Sequence, residues 1–303
     1  VRVPKELNEA NTKAAFELEK IKEQFLRFQF EQEMAKRSPL RKILGAGQET
    51  LNLARAIMTS FDLSAVLRQG GFISLGNPVR AAKSFVPMMK AFASKEGQFK
   101  VTRQIENSPN AKLYKAAGLE LTDIGSGLNL SKMEEAFMSR WIEKVPKAVG
   151  GGFLRGSQRA FTTFLNKLRA DSFDAMVAAL ARNGDNPTLV EAKAISNYIN
   201  VATGRGKIGL SANAATGLNT IFFAPKLVAS RFNLLAGQPL YGGTMRTRNM
   251  VAREYARFLM GVAVVMGLGS LFHDDEDDEK PFVNFDPRTS DFGKMRFGNT
   301  FID

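Results

Sequence analysis

The stretch Ser157-Gln158-Arg159-Ala160-Phe161-Thr162-Thr163-Phe164-Leu165-Asn166-Lys167-Leu168-Arg169-Ala170-Asp171-Ser172-Phe173-Asp174-Ala175-Met176-Val177-Ala178-Ala179-Leu180-Ala181-Arg182 decides the fold class. It reads as one long helix, closed by Asn183-Gly184 and Pro187 as helix stop signals require. Thr188-Leu189-Val190-Glu191 follows as a capping box and opens a helix to about Thr203, which Gly204-Arg205-Gly206 ends. Upstream, Gly150-Gly151-Gly152 reads as a flexible break. A further capping box, Ser131-Lys132-Met133-Glu134, opens a helix to about Val145. The run 122–129, with Gly125 and Gly127, reads as a loop. Downstream, 212–235 is apolar with Pro225 inside it, and Gly237, Gly242 and Gly243 precede a last long helix, Thr247 to Phe272.

The first half has the same grain. Residues 40–68 read as helical, with an interruption at Gly45-Ala46-Gly47. Gln69-Gly70-Gly71 and Gly76-Asn77-Pro78 read as turns, and the four residues between them are too short to assign. Pro78 to Ala93 is a helix with a kink expected at Pro87; a polar helix or loop over 95–110 leads to Ala111–Gly118. No stretch alternates apolar and polar residues for long. The expectation is therefore all-α: an elongated multi-helix assembly with Gly-rich hinges at 70–71, 150–152 and 242–243, and no substantial β-sheet. Four parts are expected: a heptad-bearing helix in 1–38, helical subdomains in 39–149 and 150–273, and an acidic loop with a tail in 274–303.

Pro4 to Arg37 reads as one helix, which Ser38-Pro39 ends. Leu7, Asn11, Ala14, Leu18, Ile21, Phe25 and Phe28 are spaced alternately by four and three, which is a heptad seam. This helix either lies on its own domain or is a coiled-coil or partner-docking helix. In the second case Leu7, Leu18, Ile21, Phe25 and Phe28 form the candidate oligomer seam.

Composition narrows the function. With no cysteine there is no disulfide framework, no Cys-ligated metal and no thiol nucleophile. A single histidine, His273, leaves no His-His metal motif, and no Gly-x-Ser-x-Gly elbow accompanies it. Net charge is +12. Residues 274–303 hold nine acids and four bases, so residues 1–273 keep 38 of the 42 bases and 21 of the 30 acids, a net +17. A cationic body suits polyanionic partners. No cofactor is expected. Residue 1 is Val, the first 33 residues are charged throughout, and no secretory signal is visible, so a fragment of a longer or processed polypeptide is expected.

The 15 residues from Phe258 to Phe272 carry no charge. At 1.5 Å per residue they span roughly 22 Å, short of the roughly 20 residues that cross a bilayer. Arginines precede the run, Asp274–Glu279 follow it, and Gly261, Ala263, Gly267 and Gly269 within it permit close helix approach. It is either a central helix of a bundle or an insertion-competent helix. Phe258, Leu259, Val262, Val265, Leu268, Leu271 and Phe272 are its candidate membrane or partner residues.

Other chemistry is thin. Thr203–Lys207 is not a Walker loop: Val201 stands where Gly is needed, and Ile208 where Ser or Thr would hold magnesium. It supports only a basic turn, and Arg205, Lys207, Arg246 and Arg248 are the candidate phosphate contacts. The acidic run Asp274–Glu279 lacks EF-hand spacing and reads as a solvated loop. Asp171 and Asp174 are the carboxylates an enzyme would use, but an ion-paired helix face explains them better. No catalytic or metal-ligating residue is assigned.

Four stretches carry a resemblance: Ser60–Gly70, Leu165–Asp174, Phe222–Arg231 and Thr289–Thr300. Together they resemble the large polyvalent protein-associated domains of tailed-phage giant proteins, over roughly residues 55–303. The resemblance implies an internal virion (ejection) protein context: location in the virion interior, then in the host cell envelope after ejection. It implies a structural role in a homo-oligomer with other virion proteins, helping to convey DNA, with nonspecific DNA and a host membrane as further partners. The alternative is a nucleic-acid-binding or spacer domain of a phage polyprotein whose other domains are catalytic.

Overall fold

In a computed structural model, the described residues are 64–122, 151–182, 186–205 and 225–270, with scattered positions between 11 and 32 and between 283 and 302. The fold is all-α. Its helices are α1 (Ser64–Gly76), α2 (Pro78–Ala93), α3 (Lys95–Glu106), α4 (Ala111–Ala117), α5 (Gly151–Arg182), α6 (Leu189–Ala202), α7 (Pro225–Leu235) and α8 (Met245–Ser270). A 3₁₀ turn, Gln238–Tyr241, joins α7 to α8.

α5 is the axis of the core. Phe164, Leu165, Leu168 and Phe173 are fully buried along it, and α1, α2, α3 and α6 pack around it. One apolar cluster runs from Phe72 to Val251, so the segments on both sides of residue 150 feed the same core. Phe72 of α1 stacks on Phe258 of α8 (4.2 Å, 17°) and meets Tyr255 edge-on at 5.0 Å. With Tyr198 of α6 nearby, this aromatic group joins three helices.

Local signals explain most boundaries. Pro78 starts α2, where its missing N–H costs nothing. The Thr188 capping box is present in both halves, with the Thr188 hydroxyl accepting from the Glu191 amide and the Glu191 carboxylate accepting from the Thr188 amide. Gly118 closes α4 at φ 74°, in the left-handed region that favours glycine.

Two expectations are corrected. Gln69-Gly70-Gly71 is not a turn: α1 runs straight through it. Gly70 is small because α5 is close, since a Cβ there would lie 3.1 Å from Phe164 and 3.2 Å from Leu168. Nor do Gly151 and Gly152 form a break, because α5 begins at Gly151, six residues before the predicted start. The expectation of no substantial β-sheet holds among the described residues, where the tail adds only one antiparallel pair of three-residue strands, β1 (Met295–Phe297) and β2 (Thr300–Ile302), with Phe297 opposite Thr300. The Gly298-Asn299 dipeptide between the strands is a two-residue hairpin signal. The 131–145 helix and the 40–63 segment lie outside the described residues.

Candidate functional site

The buried polar side chains are mostly structural ties. Asn166 of α5 donates to the Thr122 carbonyl and accepts from the Thr122 amide, both at 2.8 Å. Asn200 of α6 treats the same segment alike, donating to the Gly118 carbonyl and accepting from the Glu120 amide, both at 2.9 Å. Two asparagines thus supply the backbone pairing that residues 118–122, in no helix or strand, would otherwise lack. Arg169, fully buried, donates to the Thr203 hydroxyl at 2.8 Å and carbonyl at 3.0 Å.

The candidate phosphate contacts divide. Arg205 is buried and donates to Glu120 and to the Thr122 hydroxyl, so it is not presented to a phosphate. Arg246 donates to the Leu180 carbonyl and lies 3.9 Å from Glu191, a tie between α8 and the ends of α5 and α6. Arg248 is exposed, as are Arg253 and Arg257 further along α8. Lys207 lies outside the described residues. Thr203 and Arg205, the described side chains of the basic turn, are therefore tied into the core.

The paired carboxylates are engaged too. Asp171 is bridged to Lys167, one turn earlier. Asp174 accepts from the Tyr114 hydroxyl, 2.7 Å from both its oxygens, and from Asn110 at 2.9 Å, fastening α4 to α5. Burial pushes the Tyr114 phenol well above its ordinary pKa, so it remains a donor. Glu191 lies at the junction of α6 and α8, accepting from Thr188 and, at 2.7 Å, from the Thr244 hydroxyl. Bonding to the Thr188 amide and to Thr244 holds its carboxyl below the usual carboxylate range. Among the described residues no group of three His, Asp or Glu could hold a metal ion.

What remains without a structural explanation is apolar and outward. The second half of α8 is not enclosed in a bundle: Leu259 is 64% exposed, Met260 60%, Val264 60% and Leu268 54%, with Val265 also outside. Phe258 turns inward to the aromatic group, Val262 is half-buried, and Leu271 and Phe272 lie outside the described residues. Gly261 lets α8 touch α1, since a Cβ there would overlap the Leu75 carbonyl. Among the described residues no helix is long and apolar enough to cross a membrane.

Two further apolar surfaces accompany it. The predicted seam is largely open: Leu18, Ile21, Phe25 and Phe28 are exposed, while Leu7 lies outside the described residues. α2, which sequence reading did not single out, packs inside out. It buries Ala81, Ser84, Met88 and Ala91 against the core and turns Val79, Val86 and Met89 to solvent, while the half-exposed Phe85 meets Phe164 edge-on at 5.4 Å. The absence of charge at the buried positions was visible in the sequence; that the small residues would face inward was not.

No known family model matches the chain, and no curated protein and no solved structure matches it.

Proposed function

We propose that this chain is a non-catalytic helical assembly module, a piece of a phage internal virion protein that oligomerises and helps convey viral DNA across the host envelope. The observation that carries the reading is the apolar, solvent-facing end of α8. Leu259, Met260, Val264 and Leu268 add little to the core of their own chain, and a contiguous apolar surface of this kind marks a site of contact. The four stretches that resemble phage giant proteins supply the context. A cysteine-free, helix-rich chain also suits passage through a narrow tail and fast refolding beyond it. Contact of the α8 end with a host membrane would be interfacial rather than spanning. Mass spectrometry of purified particles, before and after DNA release, tests the reading. The chain is expected in full particles and depleted from emptied ones; its absence from full particles sinks the proposal.

A second reading, a nonspecific nucleic-acid contact, is favoured by the exposed Arg248 and Arg253 on a chain of net charge +12. It requires DNA affinity that falls steeply with salt. Binding that ignores salt, or no binding, counts against it.

A further inference from the structure

The N-terminal helical stretch leaves its apolar seam uncovered, and the charges beside that seam specify what covers it. Every described residue between 11 and 32 is helical. Leu18, Ile21, Phe25 and Phe28 are 51%, 61%, 59% and 59% exposed. Phe16 is not a seam residue, and it packs on Phe99 of α3 with ring centroids 5.4 Å apart. The stretch therefore touches the body through another side while the seam faces solvent.

In heptad terms, Asn11, Leu18, Phe25 and Gln32 occupy the a positions, and Leu7, Ala14, Ile21 and Phe28 the d positions. Glu17, Gln24 and Glu31 then fall at g, and Lys22, Gln29 and Lys36 at e. In a parallel, in-register pair each g residue faces the e residue five places further along the other copy. The pairings are Glu17 with Lys22, Gln24 with Gln29 and Glu31 with Lys36: two attractive, one neutral, none repulsive. In an antiparallel pair g faces g and e faces e, which sets acids against acids or glutamine and lysines against lysines or glutamine. Asn11 adds a second preference, because a single polar a residue fixes register by pairing with its own copy.

We infer that the N-terminal segment pairs with a second copy of this chain as a parallel, in-register two-stranded coiled coil. The inference rests on the assembly reading above and deepens it by naming the partner and the orientation. Gln32 ends the apolar run, so the contact is about three heptads long and the dimer dissociates on dilution.

The chain has no native cysteine, so single introduced cysteines report without background. Leu18→Cys and Phe28→Cys variants of the 303-residue chain are oxidised mildly and separated by size under denaturing conditions. A parallel, in-register pair sets each a or d residue beside its own copy, within disulfide reach, so both variants form same-site dimers. An antiparallel pair brings equal-numbered residues together only at its centre. A link at one site alone therefore overturns the orientation and leaves the assembly reading standing. No link at either site, with a monomer in sedimentation equilibrium at the highest attainable concentration, overturns the pairing. The particle-composition test of the assembly reading is independent of both results. Glu17→Lys should raise the dimer dissociation constant roughly three- to tenfold, and adding Lys22→Glu should restore it; failure of that restoration also counts against the pairing. Leu18, Phe28 and Glu17 are exposed, so unchanged circular dichroism and thermal melting confirm that each variant is folded.

Discussion

Gly70 and Gly71 are neighbours in α1, and replacing each by alanine should move stability in opposite directions. A Cβ on Gly70 would sit 3.1 Å from Phe164 Cε1 and 3.2 Å from Leu168 Cδ2. Both side chains are fully buried, so neither can withdraw without opening the core. Overpacking of this kind costs about 1–3 kcal/mol. Removing a mid-helix glycine returns about 0.5–1 kcal/mol. The net expectation for Gly70→Ala is a loss of about 0–2.5 kcal/mol. A Cβ on Gly71 meets nothing within 4 Å, so only the helix preference is left. Gly71→Ala should gain about 0.5–1 kcal/mol. Urea unfolding followed by far-ultraviolet circular dichroism measures both, and the two variants should lie about 1–3 kcal/mol apart. If both alanines stabilise, α1 does not press on α5 at Gly70; if both destabilise, the helix through the two glycines is refuted.

Asn166→Ala strips the Thr122 amide and carbonyl of their partners in a buried setting, and should cost about 2–5 kcal/mol by the same unfolding assay; a loss below that range would mean water replaces the side chain. The folded pKa of Glu191 is depressed below its ordinary 4.5, so its contribution is fully present above that value and is lost as pH falls through the folded value. Glu191→Gln should therefore flatten the acid limb of the stability–pH curve, and an unchanged limb would remove Glu191 from the account. Leu259→Ser combined with Leu268→Ser should leave stability within about 0.5 kcal/mol, since both sites are exposed, while lowering self-association in light scattering; undiminished association would clear the α8 face of any role in it.

Where sequence reading succeeded, the signal was local and had one physical meaning. The Thr188 hydroxyl and Glu191 carboxylate can satisfy each other's orphan amides only at a helix start, and α6 begins there. Pro78 opens α2 and Ala93 ends it, as expected. Glycine misled because its two uses look identical in a sequence. At Gly118 it supplies a left-handed backbone, whereas at Gly70 and Gly261 it supplies room for another helix. Charge misled for a related reason: Arg205 and Arg248 are the same residue type, but the first is enclosed by Glu120 and Thr122 and the second faces solvent. The apolar run after Arg257 was legible as a helix, but enclosure depends on what packs beside it, and composition carries no trace of that. The strand pair Met295–Phe297 and Thr300–Ile302 escaped the reading because three-residue strands are too short to show alternation.

The amides of Glu120 and Thr122 belong to no helix or strand, yet each donates to an asparagine anchored in α5 or α6. Asn166 and Asn200 are both buried, so freeing either amide means withdrawing a side chain from the packed interior, an event close to complete unfolding. In deuterated buffer these two protons should persist as long as those in the middle of α5. A short connection that looks irregular would then rank among the slowest-exchanging parts of the molecule and report directly on the lifetime of the whole fold.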